Sequence, residues 1–167
     1  MPDLVANCIR VKDGDTVVVQ GSEGNRAAVR LHGIDCPETG QPYGTGATEA
    51  AKKVAEGEVV EVNVVDTDHY GRIVGRVIAD GTNLGASLAY SGYAWHDQRH
   101  APGSSQIKEA EQAARKEGRG LWSQEDPIPP WQYRNGSTVD TGSAAKGLAW
   151  FFAGAAAMVV LIVLLSL

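Results

Sequence analysis

A disulfide framework is the first thing this chain lacks. Its two cysteines, Cys8 and Cys36, are too few for one and carry no metal-ligand spacing. Both therefore read as free thiols, one in a strand and one in an acidic turn, and the redox compartment stays open. Positive charge is also scarce: fifteen Lys and Arg stand against twenty Asp and Glu, a net charge of −5. A protein that grips nucleic acid through electrostatics alone is usually basic. Any such function here has to rest on a local cationic site. There is no internal repeat and no low-complexity tract. The N-terminus has no cationic start followed by an apolar run, so it is not expected to be a secretory signal.

Charge is missing altogether from residues 147–167. At ~1.5 Å per residue this run makes a helix of roughly 31 Å, the thickness of a bilayer's hydrocarbon core. A buried core helix would be shorter and keep a polar face, so a transmembrane helix is expected, with Trp150, Phe151 and Phe152 at the entry interface. Residues 134–146 read as a flexible linker to it. The expected topology is single-pass with a C-terminal anchor. Arg134 and Lys146 before the helix favour the cytosolic side for the preceding domain.

What is present concentrates in residues 10–38. Two acidic turns, Asp13-Gly14-Asp15-Thr16 and Ile34-Asp35-Cys36-Pro37-Glu38, flank strand-like runs at 16–20 and 26–33. Alternation at period two sets Arg30 on the face opposite Val29 and Leu31. A hairpin of these strands brings Asp15 near Asp35, so that carboxylates and a guanidinium share one end of a sheet. Taken singly, each turn is ordinary Asp-Gly or Asp-x-Pro-Glu chemistry. The turn Asp68-His69-Tyr70-Gly71-Arg72 shifts the balance toward a site able to hold a divalent cation beside a phosphate.

Elsewhere, strands are expected at 4–11, 58–65 and 73–79, and helices at 46–56, 83–91 and 104–117. Glu111 and Arg115 read as a surface i,i+4 pair on the last helix. Residues 93–103 read as irregular. Leu121 and Trp122 are expected to dock on the core, and Pro127, Pro129 and Pro130 to form a strap ending at Trp131. The pattern implies an α+β, mainly β chain: a five-stranded Greek-key barrel of the OB type with about three helices. Residues 1–133 would form the domain.

Three blocks in order, Asp-Gly-Asp-Thr at 13–16, Arg30 ahead of Ile-Asp-Cys-Pro-Glu, and Asp-His-Tyr-Gly-Arg at 68–72, resemble the signatures of the staphylococcal nuclease (thermonuclease) family. The resemblance covers residues 4–133. It implies a monomeric domain that hydrolyses DNA, and RNA as a further substrate, to 3′-phosphate and 5′-hydroxyl ends with Ca2+. It assigns calcium to Asp15, Asp35 and the backbone carbonyl of Cys36. Glu38 would activate the water, and Arg30 and Arg72 would clamp the phosphoryl oxygens. Cys36 stands where the best-known member has threonine, which is harmless if only the carbonyl ligates. His69 replaces a lysine, and Gln98 and His100 fall where that member has base-contacting tyrosines. Tyr70, Tyr93 and Trp95 are the candidates for contacting substrate instead, because stacking needs no sequence code. His96, Asp97 and His100 read as a polar loop rather than a second metal site. The competing expectation is a non-catalytic OB-type module that only binds nucleic acid or a protein. The calcium requirement pulls the location toward an extracytoplasmic side, against the charge rule, and the side faced is left open.

Overall fold

The computed structural model describes residues 1–136. The expected transmembrane helix at 147–167 and most of the expected linker lie outside the described residues. Among the described residues, no helix is long and apolar enough to cross a membrane.

Five strands close into a barrel: β1 (Leu4–Asp13), β2 (Thr16–Gln20), β3 (Arg26–Leu31), a two-residue β4 (Ile34–Asp35), β5 (Val59–Thr67) and β6 (Ile73–Ala79) follow one another, with β4 standing apart. The order around the sheet is β3-β2-β1-β5-β6, and a parallel pairing of β3 with β6 shuts it. The strands β2, β5 and β6 form where the sequence is rich in β-branched residues, and on β5 these alternate with polar ones. On β5, Val60 and Val62 are fully buried while Val59 and Glu61 face out. On β2, Val17 and Val19 fill the interior. Register shifts in β1 between Cys8 and Arg10 and between Val11 and Asp13 bend that strand.

Helix α1 (Gly44–Ala55) packs Ala47, Ala51 and Ala55 onto the barrel. A two-residue β7 (Thr82–Asn83) leads into α2 (Leu84–Tyr90), which Asn83 caps by accepting from Ala86 N at 3.2 Å. Then come a second short strand, β8 (Trp95–His96), α3 (Ser105–Lys116), a 3-10 turn (Gly120–Ser123) and a final short helix, α4 (Pro130–Tyr133).

The closed five-stranded barrel with helices agrees with the sequence reading, and three details differ. Residues 93–103 are not wholly irregular, because β8 pairs with β4 and sets Asp35 opposite Trp95. Helix α1 begins at Gly44, ahead of the expected start at residue 46. Glu111 is buried rather than on the surface, where it accepts from Arg115 at 3.1 Å and from His96 N at 3.4 Å. A solitary carboxylate inside the protein would be costly, and Arg115 offsets that cost from the next turn of the helix.

Two glycines fix the geometry of the acidic turns. A Cβ at Gly14 would lie 2.8 Å from the Cβ atoms of Cys36 and Ala47, so only glycine lets the two turns approach. A Cβ at Gly44 would overlap the carbonyl of Glu38. Gly44→Ala is therefore expected to lower stability by about 2 kcal/mol or more. Gly103→Ala, where a Cβ meets nothing within 4 Å, should stay within about 0.5 kcal/mol. Urea denaturation of both variants checks the contrast.

Candidate active site

The acidic end of the barrel is assembled by backbone pairing. Thr16 faces Arg30 across the β2–β3 ladder, and Leu31 N donates to Asp15 O at 2.8 Å. Cys36 N donates to Asp15 Oδ2 at 3.0 Å, which ties the second acidic turn to the first. Asp15 and Asp35 are both buried. Arg30 lies between them, with Nη1 2.8 Å from Asp15 Oδ2 and Nη2 3.0 Å from Asp35 Oδ1. Its Nη1 is buried against Asp15, so the guanidinium is held by a carboxylate on each side.

Charges of alternating sign continue outward from this pair. Arg134 Nη2 donates to Asp35 Oδ2 at 2.7 Å, and Arg134 Nη1 donates to Glu38 Oε1. The result is a chain: Asp15, Arg30, Asp35, Arg134, Glu38. Burial pushes the Asp15 carboxyl up to about 7. Arg30 and the Cys36 amide pull it down, while Asp13 and Asp35 push it further up. Burial likewise holds the Cys36 thiol well above its usual range. The sulfur is therefore a neutral thiol, which leaves the carbonyl as its oxygen donor.

Arg72 comes from the turn between β5 and β6, which is built around one carboxylate. Asp68 accepts from Tyr70 N at 2.9 Å, from Arg72 N at 3.0 Å and from Arg72 Nε at 2.7 Å. The parallel seam sets Val29 beside Ile73 and Arg30 beside Val74. Arg30 and Arg72 thereby border the same groove, of about 1190 Å³, which Asp35 and Arg134 also line.

The five residues proposed for chemistry thus fall into one region, but the candidate base contacts divide. Tyr70 is exposed and stands 5.4 Å from the Arg72 guanidinium. Tyr93 packs on Tyr43 and under Gly46, and it does not line the groove. Trp95 borders the groove but is buried, edge-on to Trp122 and Trp131 at 5.2 and 6.4 Å. Of these two candidate base contacts, Tyr93 thus sits outside the groove's lining, and Trp95 lies in its wall with the ring packed against neighbouring indoles. His100 pairs with Asp97 at 2.7 Å, as expected of a polar loop.

Arg134 and Gln41 are the site residues that the sequence did not reveal. Gln41 is buried, accepts from Glu38 N at 2.9 Å and donates to Ile128 O at 2.5 Å. Arg134 read as the first linker residue; the structure moves it into the site and extends the compact unit to Gly136. The usable signal was the proline strap, which implied that the chain returns to the domain before leaving it.

The family described as Staphylococcal nuclease homologue matches residues 28–124. An uncharacterized endonuclease of Escherichia coli is 38% identical over 135 residues, covering 80% of this chain and 86% of that protein. A micrococcal nuclease of Shigella flexneri is 32% identical over 145 residues, covering 81% and 83%. A staphylococcal-like nuclease of Arabidopsis thaliana is 36% identical over 110 residues, covering 64% of this chain and 32% of that protein. With its closed barrel and its acidic turns in place, the chain belongs to the staphylococcal nuclease family.

Nucleases of this family are in general metal-dependent, and the donors present fit a hard cation. Two buried carboxylates converge on one guanidinium with a neutral thiol beside them, so oxygen is the donor on offer. Among the described residues, no three His, Cys, Asp or Glu side chains gather into a ready-made cage. Main-chain oxygen and water would complete the shell.

The raised Asp15 carboxyl has a consequence in chelator. Between about pH 4 and 7 the folded protein holds a proton there that the unfolded chain has released. Stability should therefore fall as pH rises through that window. Asp15→Asn, neutral and of the same shape, should flatten the fall. Urea midpoints at pH 5 and pH 8 measure it.

Proposed function

We propose that this protein is a calcium-dependent phosphodiesterase, an endonuclease acting on DNA and also on RNA, held at a membrane by residues 147–167. The observation that carries the catalytic reading is the convergence of Asp15, Arg30 and Asp35 at one barrel end, with Glu38 on the adjoining loop and Arg72 on the rim of the same groove. The relatives named endonuclease and micrococcal nuclease support it.

Asp15, Asp35 and the Cys36 carbonyl would hold the ion, which supplies Lewis-acid charge to a phosphate oxygen when bound. Glu38 accepts a proton from the attacking water. Arg30 and Arg72 offer two guanidiniums to the charge that builds on the phosphoryl oxygens. Protonation of the leaving oxygen gives a 5′-hydroxyl and leaves a 3′-phosphate. A module that only binds nucleic acid is the weaker reading, because its affinity would depend on neutralising many phosphates. Here the cations of the acidic end are paired with carboxylates.

Purified full-length protein in mild detergent should nick plasmid DNA in calcium and stop in chelator. Asp15→Ala, Glu38→Ala and Arg72→Ala should each lower the rate by about 100- to 1,000-fold while the fold persists. Binding without cleavage in calcium would leave the module reading standing. The anchor rests on the uncharged run at 147–167. Full-length protein should stay with membranes through a high-salt and alkaline wash, and a chain ending at residue 146 should be released. Protease access to sealed vesicles then reads which side carries the nuclease.

A further inference from the structure

Arg134 bridges two carboxylates of the site, yet it lies beyond residue 124, where the family match ends. Its partners are 99 and 96 positions away in the chain. An exposed arginine in a single ion pair contributes little. This one forks across two carboxylates, and one of them, on the Asp35 side chain, is only 7% exposed. Asp35 receives Arg30 on Oδ1 and Arg134 on Oδ2, so its carboxylate is held from both sides.

The backbone that delivers Arg134 is fixed as well. Helix α4 opens on the buried Pro130, a residue suited to a first turn. Gln41 clamps Ile128, just ahead of it, while also accepting from the amide of Glu38. Trp131 packs edge-on to Trp95, which is the strand partner of Asp35. The strap is thus fastened to the same two short segments whose carboxylates Arg134 contacts. Among the described residues, Glu38 is held through Oε1, and its Oε2 accepts no hydrogen bond.

We propose that Arg134 is a positioning residue of the nuclease site: it holds Glu38 by one carboxylate oxygen, in fixed relation to Asp35, and leaves the other oxygen for the attacking water. The inference rests on the reading of Glu38 as the base. A glutamate on a half-exposed loop has several side-chain rotamers, and only a fraction of them present an oxygen to water beside the phosphate. A guanidinium fork anchored elsewhere selects one. The role calls for arginine, because a lysine ammonium is a point charge that cannot present a planar fork to both carboxylates.

The test uses the full-length chain in detergent with calcium and an oligonucleotide substrate. Arg134→Gln should lower kcat by about 10- to 100-fold, as loss of a group that orients a reacting one does. KM should change by less than about threefold, and the melting curve should stay cooperative. Arg134→Lys should recover part of the loss. In a Glu38→Gln background, Arg134→Gln should cost less than about twofold, since the group it orients is already gone. Calorimetric titration with calcium alone supplies a readout free of turnover, and affinity should not rise in the variant.

An unchanged kcat overturns the proposal, as does an equal loss in both backgrounds, which marks a structural role. A raised KM with kcat kept would make Arg134 a phosphate contact instead. Tighter calcium binding with higher activity would make it a competitor of the ion. If the parent chain fails to cleave, or cleaves equally with Glu38→Gln, the reading of Glu38 itself falls.

Discussion

Two carboxylates taken out of water at one end of a small barrel are the constraint around which the rest of the structure is arranged. Asp15 and Asp35 repel each other, and burial makes each charge costly. The fold answers with cations placed in alternation, Arg30 between the inner pair and Arg134 between Asp35 and Glu38. Each cation comes from a different part of the chain, one from strand β3 and one from the far end of the strap. The barrel sets the first by register, and the strap sets the second by packing.

The acidic net charge of the chain acquires a different meaning from this arrangement. Among the described residues, five arginines border the groove, Arg30, Arg72, Arg99, Arg115 and Arg134, and all but Arg99 are tied to carboxylates. Affinity spread along a nucleic-acid backbone is not what such a surface provides. It suits brief contact with a phosphate at one point, which is the need of a hydrolase more than of a packaging protein.

Much of the fold and the core of the site were legible in the sequence because they are written locally. A run of valines marks β2 and period-two valines mark β5, and the acidic turns sit within a few residues of the strands that position them. Asp15, Arg30, Asp35, Glu38 and Arg72 could be picked out because each lies in a short block that resembles a signature of the staphylococcal nuclease family. What stayed hidden depends on distant partners. Arg134 follows a short aromatic run and precedes a Gly- and Ser-containing stretch, so nothing nearby distinguishes it from a linker residue; its role appears only across 99 positions. Glu111 has the i,i+4 spacing of a surface pair, and its burial depends on where Trp95 and His96 come to rest. Strands β4 and β8 have two residues each, too short to leave a periodic signal, yet their pairing buries Trp95 beside Asp35. Tyr93 sits only two residues from Trp95 in sequence, and the fold sends the two rings to different places.

The parallel seam between β3 and β6 joins only three residue pairs, against seven between β5 and β6. Parallel pairing is also the slightly weaker kind per residue. Arg30 lies on one side of this seam and Arg72 just beyond the other. A transient parting there would separate the two guanidiniums while Val17, Val60 and Val62 stay packed inside. Partial opening of this sort lies below the free energy of global unfolding in ordinary domains. On warming, the enzyme can therefore fall silent while its circular dichroism still reports an intact barrel, and turnover becomes a gauge of the seam rather than of the core.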